Sequence, residues 1–287
     1  MLDSARAAPE RPRFELAWLE QAPFLSLCEA FRRKLASLGA WPNPEAYDDI
    51  VRATATEVDG GEQACERPRF VSHDRVAVAF RGGYEAYVAA ERAVPTRPFH
   101  WHDFFNMAVW AHLPRLRWAL NTIHTTAGPG QVDPRNGRTP QQNRAAHFDE
   151  TGLLVMSQDP GVLNDLAELR FKRVFWERRR ELSDSTRFLL CGHGSMEALL
   201  APRVGLMSKA LLVELGELPP HDARGLRDID RLLSERVQRW RVKPDTLHPV
   251  PLLGVPGYHA GQSSRFYDNA RYFRARRSKR SQAERGS

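Results

Sequence analysis

Cysteine is scarce in this chain: Cys28, Cys65 and Cys191 are the three present among 287 residues. They are odd in number and lie far apart. That spacing excludes a disulfide framework, a zinc knuckle and a dithiol redox motif, and it fits a reducing, cytoplasmic setting. No run of 18 apolar residues occurs, and Met1 to Arg13 mixes acids, arginines and prolines with no apolar centre. Neither a membrane span nor a secretory leader is expected. A Walker loop, a Gly-x-Gly-x-x-Gly fingerprint and a His-Glu-x-x-His helix are also lacking, and no Gly-x-Ser-x-Gly elbow surrounds Ser157 or Ser195. Familiar nucleotide, nicotinamide, zinc-peptidase and hydrolase-elbow chemistries therefore find no support.

Basic charge is present, but most of it is in one place. The formal charge is +7, and residues 265–287 carry eight Arg or Lys against Asp268 and Glu284. The remaining 34 basic and 33 acidic residues leave the body at +1. A nucleic-acid footprint has to lie on a folded surface, so the body is a poor candidate. The stretch 265–287, where Tyr267, Tyr272 and Phe273 interleave with arginines, is the one place suited to an anionic partner. The competing reading is a solvated tail, because blocks of like charge stay disordered.

Periodicity divides the chain into a polar lead (1–22), one principal domain (23–274) and a basic disordered tail (275–287). Phe24, Leu27, Cys28, Phe31, Leu35 and Leu38 recur at helical spacing between Pro23 and Gly39. Residues 40–68 read as loop, and Phe70 to Phe80 as a strand ending at Arg81-Gly-Gly83. A short helix from Tyr84 to about Ala93 is broken by Pro95 and Pro98. Asp103 is placed to cap the next helix, and Pro114 starts another. Thr126 to Asn143 has no apolar period and reads as a long loop. His147 to Ser157 reads as a hairpin about Glu150-Thr-Gly152, and Asp159-Pro160 as the cap of a long helix reaching Phe175. Phe188 to Cys191 reads as a buried strand turning through Gly192-His-Gly194 into a helix, and Asp228 to Trp240 as a helix. The fold class expected is α+β, mainly helical, with a small antiparallel sheet.

The densest polar chemistry lies on two of these helices and at one turn. His102, Asp103 and Asn106 fall within one turn, and Asn121 and His124 share a face of the helix after Pro114. His193 and Glu197 are four apart, which suits two ligands of one metal or a base with its orienting acid. The bland alternative has Asp103 as an N-cap, Asn106 bonded to Asn121, and the histidines as satisfied core groups. Trp101, Phe104, Phe105, Trp110 and Trp118 are expected in the core. Asp149 and Glu150, adjacent on a strand, would point to opposite faces, with Glu150 shaping the turn.

Val94-Pro-Thr-Arg97, Trp101-His-Asp-Phe-Phe-Asn106, Val109-Trp110, Leu120-Asn121 with His124, Phe148-Asp-Glu150 with Gly152, and Gly192-His193 with Glu197 occur in this order. Pro251-Leu-Leu-Gly-Val-Pro-Gly257, Phe266-Tyr-Asp-Asn269 and Tyr272-Phe-Arg274 follow them. Together they resemble the domain-of-unknown-function family numbered 3025 over about Tyr84 to Arg274. Tyr258 stands where tryptophan is expected. The resemblance implies a cytosolic bacterial protein and carries over no catalytic residue.

Two functions remain in view. One is an enzyme whose site is formed by His102, Asp103, Asn106, Asn121, His124, His193 and Glu197. In this reading His124, His193 and Glu197 are candidate ligands of a divalent metal ion that activates water for hydrolysis. The other is a non-catalytic binding or scaffold protein in which the same residues form a buried hydrogen-bond network and the tail meets an anionic partner.

Overall fold

Three helices of this chain start from proline in the first turn with a short polar cap before it, at Asn43-Pro44, Thr139-Pro140 and Asp159-Pro160. The computed structural model describes residues 12–60, 65–75, 83–126 and 132–274. Helix α1 (Glu29–Ala36) is followed by α2 (Pro44–Asp59), where Asn43 accepts from the Ala46 N–H. Strand β1 (Arg69–Ser72), α3 (Tyr84–Glu91) and β2 (Ala93–Thr96) come next, then α4 (Trp101–His112) and α5 (Pro114–Thr126). Helix α6 (Pro140–Thr151) starts from a full capping box between Thr139 and Gln142 and passes directly into β3 (Gly152–Ser157). After these come α7 (Pro160–Ala167), capped by Asp159, α8 (Arg179–Ser185), β4 (Thr186–Leu190), α9 (His193–Ala198) and β5 (Met207–Glu214). Helix α10 (Ala223–Arg239) and β6 (His248–Pro251) precede the short terminal turns.

The mainly helical α+β class stands, with one change to the sheet. Strand order is β4-β3-β5-β6, with β3 antiparallel to β4, parallel to β5, and β5 antiparallel to β6, so this sheet is mixed rather than antiparallel. The parallel pair arises because the long β3 to β5 connection returns the chain in the same direction, as crossovers do. A separate parallel pair, β1 with β2, uses α3 as its crossover.

Several local expectations are corrected. Residues 40–68 are not loop throughout: Tyr47, Ile50, Val51, Thr54 and Val58 bury one face of α2 behind the Asn43-Pro44 start. The helix expected from Pro23 begins only at Glu29. Its first amides are claimed by tertiary partners, since Glu57 accepts from the Glu29 and Ala30 N–H groups at 3.1 and 2.6 Å. The long helix after Asp159 breaks where Leu169 takes φ 61°, then resumes as a π-type turn over Arg173–Glu177. His147 to Ser157 is not a hairpin but the last turn of α6 joined to β3. Asp103 lies in the first turn of α4, where His100 is the N-cap, and accepts from Arg97. The strand expected over Phe70 to Phe80 ends at Ser72, where His73–Arg75 turn as a 3-10 helix, and its remainder and the tail 275–287 lie outside the described residues.

One hydrophobic core joins residues from Trp18 to Phe273. Phe104, Phe105 and Trp110 are fully buried in it, while Trp101 and Trp118 are half-buried against it. Among the described residues no helix is long and apolar enough to cross a membrane.

His112 links two of these helices. Its Nδ1–H donates to the Ala108 carbonyl at 2.8 Å, and its Nε2 accepts the Cys28 N–H at 3.1 Å, so the ring is needed neutral. Burial, together with the positive field of Arg67, pushes it down to about 4. An unfolded chain binds that proton more readily, so the stability His112 contributes is complete above about pH 6.5 and lost as pH falls toward 4. Urea unfolding at pH 7.5 and 5 should therefore show a larger acid loss in the wild type than in His112→Gln. Equal losses would remove His112 as the cause.

Candidate metal centre

The β3–β4 ladder sets the site. With Leu153 opposite Leu190, the Gly152 carbonyl accepts from both the Cys191 and Gly192 N–H groups at 2.9 Å. The end of α6 and the start of α9 are thereby held against each other. This approach needs glycine, since a Cβ on Gly192 would lie 2.4 Å from Gly152 N and 2.6 Å from Glu150 O. The first turn of α4 supplies a third wall.

On these walls His102, Glu150 and His193 converge. The two imidazole Nε2 atoms are 3.0 Å apart, and Glu150 Oε1 is 3.8 Å from the first and 3.7 Å from the second. Ligands of a tetrahedral zinc ion are separated by about 3.4 Å, so the three edges bracket that value. A point equidistant from the three atoms lies about 2 Å from each, the reach of a Zn–N or Zn–O bond.

Each histidine has a carboxylate behind it. His102 donates from Nδ1 to Glu197 Oε2 at 3.1 Å, which leaves the Nε2 lone pair turned toward His193. Among the described residues the His193 Nδ1 has no hydrogen-bond partner; it lies 3.8 Å from Asp149 Oδ1, and Asp149 is itself held by Arg117 in a buried ion pair. An outer carboxylate bonded as Glu197 is fixes the tautomer of a ligating histidine and raises its basicity. Burial, then the positive Arg117 and the neighbouring His102, hold His193 well below 6.5, so it is neutral and able to ligate at physiological pH.

A cleft of about 430 Å³ opens beside these atoms, and His102, Asp103, Asn106, His124 and His193 all line it. Asp103 takes a forked contact from Arg97, 2.6 Å from Nη2 and 3.0 Å from Nε. Burial opposes its charge, but the Arg97 hydrogen bonds outweigh burial and keep the carboxyl below its ordinary range. Asn121 is not among the lining residues. It sits behind Glu85, donating to that residue's carbonyl at 2.8 Å and carboxylate at 2.7 Å. The Asn106–Asn121 bond of the bland reading does not form, because Asn106 donates to the Tyr84 hydroxyl instead. Of the three candidate ligands, His193 is in the converging group, Glu197 orients His102, and His124 lines the cleft apart from the group.

Glu150, Asp149, Arg97 and Tyr84 were not anticipated as site groups. For the two acids a signal existed: Thr139-Pro140 with Gln142 is a capping box with proline at the first helical position, which argues for a helix through 149 and 150. On a helix, unlike a strand, adjacent residues are about 100° apart and can both reach one cleft.

The family model described as Protein of unknown function (DUF3025) matches residues 68–277. No curated protein and no solved structure matches the chain.

Proposed function

The chain belongs to the DUF3025 family, described as proteins of unknown function, and from its site we propose that it is a metal-dependent hydrolytic enzyme. The divalent ion is held by His102, His193 and Glu150. One observation carries the proposal: three donor atoms meet within 3.0 to 3.8 Å, and one of the histidines, His102, is hydrogen-bonded to an outer carboxylate, Glu197. Two imidazoles, one carboxylate and an open fourth position make up the donor set of catalytic zinc sites. An ion bound there lowers the pKa of its water and polarises a substrate oxygen. Glu197 orients His102, and the cleft admits the substrate. A cytoplasmic setting is part of the same proposal, supported by three free thiols.

The rival is a structural network, since the contacts of His102 with Glu197 and His193 are themselves hydrogen bonds. Exposure weighs against it. The His102, Glu197 and Glu150 side chains are 27%, 40% and 50% exposed, and water competes for such bonds. Elemental analysis of protein purified without chelator, before and after reconstitution with zinc, manganese or cobalt, tests the proposal. One equivalent of ion is expected, and a folded chain that takes up none would sink it.

Gly194→Ala offers a gentler test. The added Cβ would meet Glu150 Oε2 at 2.5 Å, the far end of a half-exposed side chain that can swing away, and Glu150 O at 3.1 Å, a backbone contact that has to yield by only a few tenths of an ångström. Alanine is also the better helix former, so the melt should stay within a few degrees of the wild type while zinc affinity falls on the order of tenfold. Unchanged affinity in a competition titration would show that Glu150 is not a ligand.

A further inference from the structure

Hydrogen-bond accounting in the cleft leaves donors over. Among the described residues its carboxylates are already engaged: Asp103 by Arg97, Asp149 by Arg117, and Glu85 by Asn121. Glu150 is committed to the candidate ion. The donors are less fully used. Arg97 spends Nε and Nη2 on Asp103 and keeps Nη1, with its side chain 48% exposed. Arg138 lines the same cleft with no carboxylate paired to its guanidinium among the described residues, and its positive charge depresses the neighbouring His124.

Tyr84 is the third donor. Its oxygen accepts from Asn106 Nδ2 at 3.0 Å, and no acceptor for its own hydrogen occurs among the described residues. The residue is 41% exposed, and a phenol with its ordinary pKa of about 10 keeps its proton and donates at neutral pH. Asn106 follows His102 by one helical turn, so the two side chains share a face of α4, and both line the cleft with Tyr84.

We propose that the cleft binds an oxyanion of the substrate, a carboxylate or a phosphate, through the donors that line it, Tyr84, Arg97 and Arg138. Guanidinium forks match both groups bidentately, and a hydroxyl donor adds a charge-assisted bond. The inference rests on the metal-site reading for the bond that is cut, but the anion contact can be measured without any ion. The lining holds three guanidinium groups, Arg97, Arg117 and Arg138, against Glu85, Asp103, Asp149 and Glu150, each of which already has a partner or faces the candidate ion.

The test is calorimetric titration with inorganic phosphate and with succinate at low ionic strength. It compares the zinc-treated wild type, Arg138→Gln, Tyr84→Phe and metal-free His193→Ala, each checked for a native melt. Binding at least tenfold weaker in Arg138→Gln and Tyr84→Phe, but retained in metal-free His193→Ala, is the expected result. The tighter of the two probes identifies the substrate's anion. Binding of neither probe, or binding untouched by both cleft variants, overturns the proposal. So does binding lost only in His193→Ala, because the anion would then sit on the ion itself. A wild type that holds no metal yet binds phosphate in an Arg138-dependent way would sink the hydrolytic reading and leave the oxyanion site standing.

Discussion

Zinc held at one equivalent by the wild-type chain is expected to fall below about a tenth of an equivalent in His102→Ala and in His193→Ala, since two donors do not retain a divalent ion that three hold. Glu197→Gln should keep the ion but bind it roughly 10- to 100-fold more weakly, the usual cost of removing an outer carboxylate. This ordering separates ligands from supports, because His102 and Glu197 touch each other and yet predict different losses. The structural-network reading predicts another pattern, with no ion in any variant and a destabilisation of about 1 to 3 kcal/mol when a buried bond is broken. Elemental analysis and urea unfolding on the same preparations decide between them. Equal metal content in the wild type and both alanine variants would remove these histidines from the centre.

Gly192→Ala should be strongly destabilising at the α6–β3–α9 junction. The new Cβ would stand 2.4 Å from Gly152 N, 2.6 Å from Glu150 O and 2.6 Å from Thr151 Cα, all backbone atoms, so no side chain can rotate to make room. Backbone strain is not the cause, because Gly192 has φ −82°, which any residue adopts. What must give is the α6–β3 junction or the register of β3 on β4. Overpacking of this kind costs about 3 kcal/mol or more, a large part of a stability of roughly 5 to 15 kcal/mol. At roughly 2 to 4 °C per kcal/mol for a chain of this size, the melt should drop by about 6 to 12 °C. Gly39→Ala and Gly216→Ala, where nothing lies within 4 Å of the new atom, are the controls and should stay near the wild type. A Gly192→Ala melt within 2 °C of the wild type would contradict the packing at this junction.

Local chemistry in the sequence foretold much of the helical frame. Asp159-Pro160, Pro114 and the apolar stripe of α10 mark starts and faces that hold in the structure, because caps and helical periodicity act over three or four residues. Helix α2 escaped because its buried face includes Thr54 and is interrupted by acids and alanines, although Asn43-Pro44 announced its start. Strand β5 escaped for another reason: its partners are β3 and β6, and no short-range turn points to either. The polar site was half legible. His102, Asp103, Asn106 and His193 stood out by crowding, but the pairing of His102 with His193 spans 91 residues and depends on a strand register that no spacing rule supplies. Glu150 was misread with its segment, since a glycine two residues on suggests a turn when the helix before it goes unseen.

Strand β3 bears on how the chain survives its own synthesis. All six of its residues are buried, yet when Ser157 leaves the ribosome neither β4 nor β5 exists to cover its edges. A bare apolar strand of this kind is prone to pair with the wrong neighbour until its partners arrive. Charges and proline at the ends of such a strand discourage that fate, and here Asp149 and Glu150 precede it while Asp159 and Pro160 follow. The acids that face the two histidines thus also guard the segment of the nascent chain most able to aggregate.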